Sequence, residues 1–146
     1  MSISVTVLDS DMLSELSRGN LRVQAQARAY LRAHGRLTFT AVTVFERLRG
    51  YHDAIRAGKP FERHLQQFEA LVEASIVLPF DMQAAACAAR LWAGLSARGR
   101  KSWGDLLIAS IAASRRLPIC TRNARDFRPM MEIMGADISL VDWSKQ

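Results

Sequence analysis

The sequence predicts an α/β fold with a mostly parallel five-stranded sheet and helices on both of its faces. Three observations point there. Short β-branched or apolar runs alternate with helix-spaced apolar residues along the whole chain, and strands separated by helices pair in parallel through right-handed crossovers. Cap and stop residues stand at the junctions. The 146 residues, 49% of them hydrophobic, suit one sizeable core and one domain spanning residues 1–146.

Residues 4–8 read as the first strand, with Asp9 directly after it. A helix follows in which Met12, Leu13 and Leu16 share a face, ended by Gly19 and Asn20, residues that tolerate positive φ. Leu21, Ala25, Ala29 and Tyr30 give a second helix over residues 21–34, stopped by Gly35. Residues 37–40 form the second strand, and Thr43 is placed to cap a helix that runs through Glu46 towards Arg56. Pro60 suits the first turn of a helix over residues 60–73, with Phe61, Leu65, Phe68 and Leu71 on its inner face. Residues 75–79 make the third strand, and Asp81 caps a helix carrying Ala84, Ala85, Ala88, Leu91, Trp92 and Leu95. Gly99, Arg100 and Lys101 form an exposed turn, and Ser102 caps an apolar helix over residues 103–114 with Asp105 in its first turn. Residues 117–121 are the fourth strand, 122–128 a loop or short helix, and 137–141 the fifth strand.

The chain carries 20 Lys+Arg against 14 Asp+Glu, a formal charge of +6, and the excess is almost all Arg. That balance suits a polyanionic partner, nucleic acid or an acidic protein segment, because the planar guanidinium binds phosphate and carboxylate bidentately. The N-terminus lacks a basic segment followed by a long apolar stretch, and runs such as LLIASIAAS fall short of the ~20 residues that a bilayer span needs. A cytoplasmic protein without membrane contact is expected. Cys87 and Cys120 read as two buried thiols, and His34, His52 and His64 show no ligand spacing and are assigned to the surface. Trp92 and Trp103 are assigned to the core or to a subunit contact.

Four acids fall where a strand ends or a helix begins: Asp9, Glu46, Asp105 and Asp126. In parallel sheets the C-terminal strand edge is where ligands bind. Asp9 follows the first strand, Asp126 comes a few residues after the fourth, and Asp105 opens a helix. Glu46, about one turn into its helix, reaches back over the same edge. Two unit charges ~4 Å apart repel by roughly 4 kcal/mol at an effective dielectric near 20, so a converging set needs protons, arginines or cations beside it. Hard oxygen donors without His or Cys select Mg²⁺ or Mn²⁺. Such an ion activates water and stabilises charge on a phosphate, so phosphodiester hydrolysis is implied, with Arg122, Arg125 and Arg128 holding backbone phosphates. Each acid also has a plainer role. Asp9 would serve as a helix cap, Glu46 as a solvated partner of Arg47 or Arg49, Asp105 as a favourable charge at a helix start, and Asp126 as a partner of nearby arginines. Their joint placement favours a shared site.

The stretches VLDSDMLSELSRGN, TAVTVFERLRGY and WGDLLIASIAASRRLPICTRNARDF, in that order and spacing, resemble the PIN-domain ribonucleases, specifically the VapC-like toxins of bacterial toxin–antitoxin pairs. The resemblance implies an α/β/α sandwich, an Mg²⁺- or Mn²⁺-dependent endoribonuclease, a homodimer, and inhibition by a cognate VapB-like antitoxin. Asp9 matches the family's first acid, Glu46 the second and Asp105 the third. For the fourth, Asn123 would bind through its amide while Asp126 supplies charge. Ser10-Asp11 stands where the family usually has Thr-Asn. Ser10 still offers a hydroxyl, and Asp11 adds a carboxylate that either alters metal affinity or holds the turn. Thr121, ending the fourth strand, is a further supporting residue. A haloacid-dehalogenase-like phosphatase would use Asp9 and Asp11 as nucleophile and acid/base, but residues 106–109 lack the paired acid it expects. A phosphorelay receiver would need an acceptor Asp at the end of the third strand, where Leu78-Pro79-Phe80 stands. A catalytically silent RNA- or protein-binding module is the remaining alternative.

Overall fold

The computed structural model describes residues 3–145. Its strands are β1 (Val7–Leu8), β2 (Thr38–Thr40), β3 (Ile76–Leu78), β4 (Ile119–Cys120) and β5 (Leu140–Val141). The pairings β1–β4, β4–β5 and β2–β3 are all parallel, with Val7 opposite Ile119, Ile119 opposite Leu140 and Thr38 opposite Ile76. β1 and β2 lie side by side, yet among the described residues no ladder joins them. The spatial order is therefore β3-β2-β1-β4-β5, with the hydrogen bonding interrupted in the middle. β1 is shorter than its β-branched run because residues 3–5 are exposed and β4, its ladder partner, is itself two residues long. Propensity extends further than pairing.

The helices are α1 (Ser10–Ser17), α2 (Leu21–His34), α3 (Ala41–Arg56), α4 (Glu62–Glu73), α5 (Met82–Gly94), α6 (Trp103–Ser114) and α7 (Ala124–Met134). Successive strand side chains point to opposite faces, which splits the core in two. Val7 and Ile119 pack against Leu91, Ala109, Phe127 and Met130 of α5, α6 and α7. Leu8 and Cys120 pack against Met12, Tyr30 and Phe68 of α1, α2 and α4, with Trp143 closing that layer. The result is the expected α/β/α sandwich, and strands buried on both faces explain why they read as near-continuous apolar runs.

Helix ends follow local chemistry. Asp9, Asn20 and Asp81 each accept a hydrogen bond from the backbone N–H three residues on, at 2.9, 3.2 and 3.0 Å. Gly35 ends α2 at φ 80°, a left-handed conformation that turns the chain towards β2. Thr40, not Thr43, caps α3: it keeps extended backbone and accepts from the Thr43 N–H at 3.1 Å, while Thr43 is already helical. Ser102 makes no side-chain cap bond, because residues 99–102 wind into a 3₁₀ turn that runs directly into α6. α4 starts at Glu62, two residues after Pro60. Residues 124–134 form a full helix that continues through Pro129. The missing hydrogen bond there is outweighed by burying Phe127 and Met130.

Trp92 and Trp103 are each 44% exposed, so neither is a core residue; that place belongs to Trp143, 5.6 Å from the Tyr30 ring. Cys87 and Cys120 are buried free thiols. His52 and His64 are exposed, and half-buried His34 donates to the Ile3 carbonyl at 2.7 Å. No helix among the described residues is long and apolar enough to cross a membrane.

The Tyr30 hydroxyl spans the interrupted centre of the sheet. It accepts from the Thr6 N–H at 3.2 Å and lies 3.5 Å from Thr38 Oγ1, linking the entries to β1 and β2. Tyr30→Phe is expected to cost about 1–3 kcal/mol in urea unfolding, because the buried Thr6 N–H loses its partner. An unchanged midpoint would show that the bridge contributes nothing.

Candidate active site

Asp9 leaves β1 with its N–H donating to the Cys120 carbonyl at 3.1 Å and its Oδ1 accepting from the Met12 N–H. It is 4% exposed. Burial pushes its pKa up to about 6, the charges of Asp11 and Glu46 push the same way, and hydrogen bonds from the Thr121 hydroxyl and the Met12 N–H pull it down. Asp9 is thus a helix cap and a strained carboxylate at once. Asp105, third residue of α6, is pushed up to about 7, first by burial and then by the charges of Asp126, Asp9 and Glu46. Glu46, in the second turn of α3, is also raised by burial, with the Arg49 guanidinium opposing. Asp105 thus feels the charge of the other three acids, and Asp9 that of Glu46, at the C-terminal edge of the sheet.

None of the four takes part in a salt bridge among the described residues, so the arginine-paired roles open to Glu46 and Asp126 are not the ones adopted. Arg47, the nearest alternative partner of Glu46 in sequence, points elsewhere, donating to Ser14 Oγ and Tyr51 Oη at 2.9 Å each. Gly104 makes room for Glu46: a Cβ there would lie 2.7 Å from Glu46 Oε2.

The supporting residues divide into two groups. Buried Thr121 accepts from the Asn123 N–H at 2.9 Å and hydrogen-bonds Asp9 through its hydroxyl, so it ties the end of β4 to the first acid. Asn123 precedes α7, exposed, with no side-chain cap bond, and Ser10 contributes its carbonyl to Arg47 at 3.3 Å. Asp11 is held bidentately by Arg122, at 3.0 and 3.1 Å, and Arg122 also reaches Glu15 at 2.9 Å. Of the two roles open to Asp11, the structure favours holding the turn, and a carboxylate so engaged is not a free acid/base partner for Asp9. Arg122 is correspondingly occupied by protein carboxylates, whereas Arg125 and Arg128 are exposed and unpaired among the described residues. Glu15 and Gly104 escaped the sequence reading. Glu15 was signalled by its position one turn after Asp11 on the same helix face, and Gly104 by a glycine in the first turn of an otherwise strongly apolar helix.

A model of the PIN domain matches residues 6–130. The chain belongs to the PIN domain family. Solved structures with the same fold include VapBC-1 from nontypeable Haemophilus influenzae, at 22% identity and TM-score 0.71 over 95% of this chain and 98% of that one. DNA-bound VapBC from Salmonella typhimurium aligns at 24% identity and TM-score 0.73 over 97% and 99%. VapBC-5 from Mycobacterium tuberculosis, a member of the VapBC family of toxin-antitoxin systems, aligns at 26% identity and TM-score 0.60 over 96% and 99%. No curated protein matches the chain.

The donor set of this PIN domain fits a hard divalent cation. Asp9, Glu46, Asp105 and Asp126 offer only carboxylate oxygens, and two of them are raised towards neutrality by burial and by their neighbours' charges. No three such donors among the described residues lie at ligand spacing. The Glu46 carboxylate lies against the bare Cα of Gly104, in the space that a Cβ would fill. Gly104→Ala is expected to move that carboxylate with little loss of stability, since only the far end of a flexible side chain must shift. The Mg²⁺-induced rise in Tm should shrink while the metal-free Tm stays within a few degrees. A full metal response in the variant would remove Glu46 from the site.

Proposed function

We propose that this PIN domain is an Mg²⁺- or Mn²⁺-dependent endoribonuclease acting as the toxin of a toxin–antitoxin pair, with a VapB-like antitoxin as its inhibitor and a homodimer as its working form. The observation that carries the reading is the group of four carboxylates at the edge of the sheet, without salt bridges among the described residues. Asp9, Glu46, Asp105 and Asp126 would hold the ion. Bound there, it would activate water and stabilise charge on the scissile phosphate.

The chain's own groups do the positioning. Thr121 hydrogen-bonds Asp9, and the Met12 N–H fixes Asp9 Oδ1 at 2.9 Å. The Asp11–Arg122–Glu15 network pins the loop after β4 against α1, which fixes the start of α7 and with it Asp126. Arg125 and Arg128 lie beyond that network and supply positive charge for the RNA backbone. The net charge of +6 supports a polyanionic substrate, and the VapBC neighbours support the toxin role.

The test has two arms. Purified protein should cut RNA with Mg²⁺ or Mn²⁺ and stop when the metal is chelated. Induced expression should arrest growth, and Asp105→Asn should relieve the arrest. Binding of RNA without cleavage under any divalent metal would instead make this a silent binding module.

A further inference from the structure

Two cavities flank the carboxylates. One, of about 250 Å³, is lined by Glu46 and Asp105 together with Arg49, Lys101, Ser102 and Trp103. The other, of about 310 Å³, is lined by Asp126 together with Arg98, Arg125 and Ser102 and has Leu95, Pro129 and Met130 as its apolar wall. Ser102 borders both, and Asp105 and Asp126, one in each cavity, act on each other electrostatically. The cavities are therefore neighbours across the acid group. Each is lined by cationic side chains as well as a carboxylate, Arg49 and Lys101 in the first and Arg98 and Arg125 in the second.

Trp103 gives this arrangement a chemical direction. A half-exposed indole is costly on a solvated helix start, and it lies two residues from Asp105 on the rim of the first cavity. Phe45, 52% exposed and one residue before Glu46, stacks under the Arg49 guanidinium at 5.2 Å. Aromatic faces beside a basic groove take unpaired bases, because every base has a face to stack and a phosphate to neutralise. Cavities of this size admit single nucleotides. An A-form duplex, whose bases are stacked inside, would offer nothing to Trp103.

We infer that Trp103 stacks on one base of the RNA strand held at the carboxylates, while Arg98 and Arg125 take a phosphate on the other side of Ser102. This rests on the ribonuclease reading above and assigns its positioning residues.

Equilibrium binding of a short single-stranded RNA, followed by fluorescence anisotropy in chelator so that no cleavage intrudes, tests it. Trp103→Ala should weaken binding about ten- to hundredfold and Trp103→Phe should restore most of it. The double variant Arg98→Gln/Arg125→Gln should lower the slope of log K against log salt by about 1.4, two phosphate contacts' worth on a single strand. Perfect duplex of the same sequence should bind more weakly. Unchanged affinity in Trp103→Ala overturns the inference. If that variant instead shifts from dimer to monomer with RNA affinity per chain intact, Trp103 belongs to a subunit contact. If the wild type cuts RNA yet Trp103→Ala binds normally, only the inference falls; if the wild type neither binds nor cuts RNA, the ribonuclease reading falls with it.

Discussion

Asp9→Asn is expected to end RNA cleavage while making the metal-free protein more stable. Asparagine caps a helix as well as aspartate, so the bond from the Met12 N–H to the side chain survives the change. What disappears is a negative charge that the protein buries at a cost. Metal-assisted charge stabilisation is worth several kcal/mol, so removing one ligand should lower the cleavage rate on the order of a thousandfold. The stability gain at pH 8 follows from the shift of Asp9 from 3.8 to about 6. That is about 3 kcal/mol, or roughly 6–12 °C in Tm for a domain of this length. Asp9→Ala separates the two effects: it loses the charge and the cap together, and should recover about 1 kcal/mol less. Retained cleavage in Asp9→Asn would remove the first acid from the mechanism, and a lower Tm would show that the carboxylate is neutralised by something other than a bound cation.

Metal-free protein should lose stability as pH rises from about 4 to about 7, opposite to the usual behaviour of acidic residues. The folded pKa of Asp9, about 6, and that of Asp105, about 7, both lie above the ordinary value of 3.8. A group raised in this way binds more protons folded than unfolded, so its contribution is complete below the unfolded pKa and is lost as pH passes through the folded one. Glu46 shifts in the same direction. Asp105 should add less than its shift suggests, because solvent reaches part of it. Above pH 7 the ionised carboxylates are ready for a cation, so the Tm increase on adding Mg²⁺ or Mn²⁺ should be much larger at pH 8 than at pH 5. The difference between the wild-type and Asp9→Asn curves isolates the site from the histidines and surface acids. If the two curves run parallel from pH 4 to 8, Asp9 does not titrate in that window.

The layers were legible in the sequence because each rests on a local rule. Asp81 caps as its side chain dictates, Gly35 ends α2, and the apolar faces of α5 and α6 meet across Leu91 and Ala109, whereas Asn20, expected to help stop α1, caps α2 instead. The misplacements are equally local. Thr43 and Thr40 are interchangeable by composition, and only the backbone angle at Thr40 decides which one caps. Residues 122–128 read as a loop or short helix, but the burial of Phe127 and Met130 carries the helix on through Pro129 to Met134, a tertiary effect that no short window contains. In the site, the strand ends announced Asp9 and Asp126, and the helix starts announced Asp105 and Glu46. The engagement of Asp11 by Arg122 did not show, because 111 residues separate the pair. The exposure of Trp103 was hidden for a related reason: tryptophan defaults to the core, and only the packed neighbours reveal that Trp143 has taken that place.

The interrupted sheet makes the carboxylate group an assembly of two halves. Asp9 and Asp126 hang from the β1–β4–β5 half, whereas Glu46 rides on the helix that leaves β2. With no backbone rungs between β1 and β2 among the described residues, the reach of Glu46 towards Asp9 is set by side-chain packing and by one phenol oxygen. The distance between the two halves of the acid group is therefore fixed by how side chains fill the seam, not by a shared strand ladder.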